Sequence, residues 1–187
     1  MKIIFLGVDN VLNSATDFTD ASMGYDPVHS HLEKSERWLV INAGKLGLLN
    51  DLVKTTGAKI VLTSHWRLDY GKTLTPIFQR YGSIWQHYDS TFFGWTDDLR
   101  HDMTGDGSEW RQLEIQNFIK ANCISDYVIF DSTDNIRLPH TEYSDRFIKT
   151  YKSIGLTMLH IKRAISILGR ETVKISMMDR IKKMING

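Results

Sequence analysis

The sequence predicts one α/β domain built on a doubly wound parallel sheet, and three observations carry that expectation. Three short, mainly apolar runs, Ile3 to Val8, Lys59 to Thr63 and Tyr127 to Phe130, have the length and continuity of strands buried on both faces. Helical patterns lie between and after them, the alternation expected of βαβ units. A chain of 187 residues is long enough for one buried core and short for two full domains.

The helices are read from apolar residues three and four apart. Leu46, Leu49 and Val53 mark a face before the second strand, and Ile115, Phe118 and Ile119 mark one before the third. Met158, Ile161, Ile165 and Leu168 form a third stripe, with Gly169 as its expected C-cap. Two segments break the rhythm. Residues 14–40 are polar and turn-rich, and residues 83–109 hold Trp85, Trp95, His87, His101 and the turn-prone run from Thr104 to Ser108. Both are read as small insertions leaving from strand C-termini. Residues 174–185 read as a short basic amphipathic helix packed on the domain, with Met178, Ile181 and Ile185 inward.

Composition narrows the partners. The net charge of +1 supplies no global field for nucleic acid or a membrane, so either would need a local patch. No run approaches eighteen apolar residues, which argues against a membrane span. The apolar start is too short for a signal peptide and reads as a strand, so cytoplasmic residence is expected by default. A single cysteine, Cys123, allows no internal disulfide and no thiolate zinc cluster, and is read as a buried packing residue.

Chemistry gathers at the strand ends. Asp9 follows the first run, Thr63 and Ser64 the second, and Asp131 and Asp134 the third. In a parallel sheet these ends share one edge, where carboxylates beside hydroxyls suit a hard cation and a phosphoryl group. Each residue alone would be an ordinary strand terminator or helix cap; the three ends together favour a site. His65, His87 and His101 are candidate bases, though a lone histidine is more often structural or solvated. Trp66 and Trp110 flank these residues and could stack on bases, but all five tryptophans fit packing roles better.

The run Phe5-Leu6-Gly7-Val8-Asp9-Asn10-Val11-Leu12-Asn13 resembles the first motif of the haloacid-dehalogenase (HAD) superfamily, Asp-x-Asp-Gly-Val-Leu-Asn. Ile60-Val61-Leu62-Thr63-Ser64-His65-Trp66-Arg67 resembles the second motif of HAD domains similar to those of RNA-repair proteins. Arg111, twenty positions before Asp131, matches the basic third motif, and Tyr127 to Asp134 resembles the acidic fourth. Arg146 to Thr150, with Gly155-Leu156-Thr157, is similar to the closing segment of that group.

The resemblance implies a Rossmann-like HAD fold with small cap segments and a phosphomonoesterase acting on nucleotides or nucleic-acid ends. It implies Asp9 as general acid and base, Thr63 or Ser64 as the hydroxyl on a phosphoryl oxygen, and Arg111 as the charge on the phosphoryl group. It further implies substrate contacts from Asn10 and Arg67, and Mg²⁺ held by Asp9, Asp131 and Asp134. The chain departs from the pattern at three positions. Gly7 stands where the attacking aspartate belongs, Asn10 replaces a turn glycine, and Ser132 replaces the second acidic residue of the fourth motif. Standard turnover is therefore expected to be impaired or absent, and Mg²⁺ to bind weakly or only with a ligand. A catalytically silent module for a phosphorylated ligand or a protein is the alternative.

Overall fold

The computed structural model describes residues 1–17, 41–69, 91–99, 108–132 and 144–169. Asp134, His87, His101, Trp85, most of the expected insertions and the basic segment 174–185 lie outside these residues. Five strands form one parallel sheet: β1 (Lys2–Leu6), β2 (Lys59–Leu62), β3 (Phe92–Trp95), β4 (Asp126–Asp131) and β5 (Phe147–Lys149). Their order is β3-β2-β1-β4-β5. The chain steps outward from β1 to β3, then returns to the other side of β1 for β4 and β5. That reversal opens a crevice beyond the carboxyl ends of β1 and β4, the place where such sheets bind ligands.

The central strands alternate between two apolar layers. On one face Ile4, Leu6, Ile60, Leu62, Val128, Phe130 and Ile148 meet α1 (Ala43–Thr56) and the helix α4 over residues 158–169. On the other, Ile3, Phe5, Val61, Tyr127 and Ile129 meet α3 (Ser108–Ala121), which follows the single-turn α2 (Trp66–Asp69) along the chain. Phe5 packs edge-on to Phe118 and Tyr127 at centroid separations of 5.9 and 5.8 Å. Burial on both sides is why these strands read as unbroken apolar runs.

Local signals set the helix ends. The Asn42 side chain accepts from Lys45 N–H at the start of α1, and Gly57, at φ 65°, closes its end with N–H on the Val53 carbonyl. Asp17 ties this corner to the loop after β1 through Lys45, Ser14 and Asn42. Burial works against its charge, but these three hydrogen bonds and the Lys45 ammonium hold its carboxyl below the usual range. Gly155, at φ 71°, lies where a Cβ would come within 2.7 Å of the Asn13 carbonyl and 3.0 Å of the Val11 carbonyl. Only glycine lets the segment after β5 close on the β1 loop, where Leu156 N–H donates to the Val11 carbonyl.

Several expectations are corrected. Residues 92–95, assigned to an insertion, are an edge strand of the sheet, and Phe147–Lys149 is a second edge strand the apolar pattern did not mark. Cys123 is exposed, because it occupies a left-handed turn (φ 50°) between α3 and β4. Met158 is half-exposed at the start of α4; the buried stripe runs through Ile161, Ala164, Ile167 and Leu168, with Ile165 at its margin. Trp95 points largely into solvent at 55% exposure. None of the described helices is long and apolar enough to cross a membrane.

Candidate functional site

Beyond β1 the chain turns sharply. Val11 and Leu12 N–H groups both return to the Val8 carbonyl, and Asn10 takes a left-handed conformation at φ 59°. Asparagine tolerates this conformation better than most residues, so the turn survives without glycine. The Asn13 side chain braces it, accepting from Asn10 N–H at 2.6 Å and donating to Asp9 Oδ1 at 3.3 Å. Thr150 Oγ donates to the Asn10 carbonyl at 2.7 Å.

This turn forms one wall of a cleft of about 130 Å³. Gly7 to Asn10 line it from β1, Ser64 and His65 from the end of β2, Trp110 and Arg111 from α3, and Asp131 and Ser132 from β4. The structure thus brings Gly7, Asp9, Asn10, Ser64, Arg111 and Asp131 together. Thr63 and Arg67 are not on its wall. The Thr63 hydroxyl is buried with no hydrogen-bond partner among the described residues.

Arg67 turns away from the cleft and spends all five of its donors inside the protein. Nε donates to the Thr96 carbonyl, Nη1 to those of Thr63 and Ser64, and Nη2 to the Asp97 carbonyl and to Glu114 Oε2. The Glu114 contact is a 2.8 Å ion pair with both side chains almost wholly buried. Burial pushes the Glu114 carboxyl up and the Arg67 guanidinium down, and their mutual attraction opposes both shifts. Arg67 clamps the end of β2 to the end of β3.

Asp9 directs its carboxylate at the indole of Trp66, whose Nε1 donates to Oδ1 at 3.1 Å and Oδ2 at 3.0 Å. Trp66 itself is buried. Nothing in the sequence marked this pairing beyond its place two residues after Ser64. Arg111 reaches Asp131 Oδ2 with Nη1 at 2.9 Å and His65 Nδ1 with Nη2 at 2.9 Å. A guanidinium can only donate, so His65 Nδ1 accepts and the neutral ring carries its proton on Nε2. The ring of His65 stands edge-on to Trp110 at 5.9 Å.

Two of the three departures from the motif pattern touch one another, and the third lies against Asp131. Asn10 Nδ2 donates to Ser132 Oγ at 3.1 Å, and Ser132 Oγ donates to the Asp9 carbonyl at 3.2 Å. A Cβ on Gly7 would lie 3.2 Å from Asp131 Cγ and 3.2 Å from the Phe130 carbonyl oxygen. The Asp131 carboxylate therefore crowds the space that a side chain at position 7 would enter.

The donor set does not fit the Mg²⁺ that the resemblance implies. A hard divalent cation takes six or more oxygens and leans on converging carboxylates. Gly7 supplies none, Ser132 supplies a hydroxyl, Asp9 faces Trp66, and Asp131 Oδ2 is paired with a guanidinium. Among the described residues no group of three or more His, Cys, Asp or Glu is placed to hold a metal ion.

A family described as the HAD domain in Swiss Army Knife RNA repair proteins matches residues 3–161. No curated protein and no solved structure matches the chain. The family match takes in all of the sheet but Lys2, both α1 and α3, and every residue lining the cleft. By that match and by its parallel sheet, the chain belongs to the HAD domain family of Swiss Army Knife RNA repair proteins.

Proposed function

We propose that this HAD-type, phosphohydrolase-like module uses its cleft to hold a phosphomonoester on a nucleotide or a nucleic-acid end, with the two-step chemistry of the family lost. The observation that carries the loss is Gly7. At the mouth of β1 it offers no atom that could attack phosphorus, so no aspartyl-phosphate can form there. Arg111 and Ser64 remain on the cleft wall to meet phosphoryl oxygens, and Asp9 remains to orient or activate a water. Slow hydrolysis by that water is the residual activity such a site supports. The family's association with RNA repair favours nucleic-acid ends over small phosphometabolites as the ligand class.

The experiment is a phosphomonoester panel run on this chain and on Gly7→Asp, with and without Mg²⁺. The unaltered chain should show very low turnover and no beryllofluoride labelling. Gly7→Asp should raise turnover by orders of magnitude where Asp131 can yield, and Asp9→Asn should then remove most of that gain. Robust turnover by the unaltered chain that survives Asp9→Asn would place the chemistry elsewhere. One observation favours the second reading, a silent binding module: the Asp131 carboxylate already crowds the position-7 space and is held there by Arg111. A Gly7→Asp form that stays inert across the panel would support it.

A further inference from the structure

We infer that the Arg111 guanidinium takes over the work of a divalent cation in this cleft, so that a phosphoryl group binds without metal. The inference rests on the phosphoryl-binding reading above and adds what supplies the positive charge.

A cation between the β1 and β4 loops would do two things. It would draw carboxylates from both loops to one point, and it would present positive charge to the ligand. The first task is done here by hydrogen bonds. Asn10 Nδ2 reaches Ser132 Oγ at 3.1 Å, and Ser132 Oγ reaches the Asp9 carbonyl at 3.2 Å, so the two loops are tied without an ion. Glycine or aspartate at these two positions would make neither contact in this form. The second task falls to Arg111. Its Nη1 lies 2.9 Å from Asp131 Oδ2, while Asp131 Oδ1 accepts from Ser132 N–H at 2.7 Å. With its Cγ 3.2 Å from the Cβ position of Gly7, Asp131 has the place and the partner of a counter-ion, not those of a metal ligand.

Charge settles the competition. A divalent ion beside Asp131 would sit against a guanidinium already bound there, in a largely buried corner where screening is weak. With no carboxylate at positions 7 and 132 to offset that repulsion, the ion is excluded. Among the described residues Arg111 donates to Asp131 and His65, and its guanidinium lines the cleft, with planar donors suited to phosphate.

The test uses the whole chain, with inorganic phosphate and Mg²⁺ as probes in titration calorimetry and Mn²⁺ followed by electron paramagnetic resonance. Phosphate should bind equally, within about twofold, in EDTA and in excess Mg²⁺, and Mn²⁺ should remain free. Arg111→Gln should weaken phosphate binding by about tenfold or more. Asp131→Asn should tighten it, because it releases Arg111 from its counter-ion; a metal-dependent site would lose phosphate instead. Phosphate binding that requires Mg²⁺, or Mn²⁺ immobilised by the unaltered chain, would overturn the inference and leave the phosphoryl-binding reading standing. No phosphate binding under either condition would sink both.

Discussion

Two hydroxyls after β2 have opposite surroundings, although the sequence left them interchangeable. Ser64 lines the cleft, whereas the Thr63 hydroxyl is buried without a partner among the described residues. A buried hydroxyl with no hydrogen bond costs about 1–3 kcal/mol, so Thr63→Val should raise stability by about 1 kcal/mol in urea denaturation. Ser64→Ala should instead weaken phosphate binding and lower stability slightly, because the Ser64 hydroxyl accepts from Trp66 N–H at 3.4 Å. A Thr63→Val protein that is less stable would mean that this hydroxyl finds a partner in solution. Which residue types matter was legible at this scale, because acidic, hydroxyl and basic residues gather at strand ends. Where their side chains turn was not. Arg67 sits in the second motif and yet faces inward, and Trp66, packed in the core as expected, also holds the Asp9 carboxylate.

The clamp between β2, β3 and α3 depends on one buried ion pair. Arg67→Met would strand the Glu114 carboxylate and four carbonyls, a loss of about 3–5 kcal/mol. Burial already raises the Glu114 carboxyl above its ordinary range, with Arg67 opposing the rise. Without Arg67 the folded state should bind a proton more readily than the unfolded chain does. The variant's deficit should then be smaller near pH 5 than near pH 8, and denaturation at the two pH values checks it. At α4 the opposite dependence is expected. Thr157 N–H donates to His160 Nδ1 at 3.2 Å, and burial, aided by Arg163, lowers the His160 value. A lowered folded value means that the folded state resists protonation. Its contribution is complete above about pH 6.5 and is lost as pH falls through the lower folded value. Protection of the amides across residues 158–169, taken relative to their intrinsic exchange rates at each pH, should fall on acidification in the native chain and respond less in His160→Gln.

At the scale of the molecule, the central strands and α1 were legible because burial on both faces or along one stripe writes a long apolar signal. The edge strands were not. Phe92–Trp95 and Phe147–Lys149 are four and three residues long and partly exposed, too short for either period to register. The crevice between β1 and β4 follows from strand order, which no local pattern states, although the spacing of Arg111 and Asp131 hinted at it. Gly7 and Ser132 were enough to expect weak or ligand-dependent Mg²⁺ from the sequence, but a motif read position by position does not reveal that Asn10 and Ser132 bond each other.

Cys123 offers a practical handle. It is the chain's single thiol, it is exposed, and it precedes β4, whose far end carries Asp131. Six strand residues set a label there roughly 20 Å from the cleft. A maleimide dye on Cys123 would therefore attach at one defined point without entering the cleft, and energy transfer to a dye-bearing oligonucleotide could report end-binding directly.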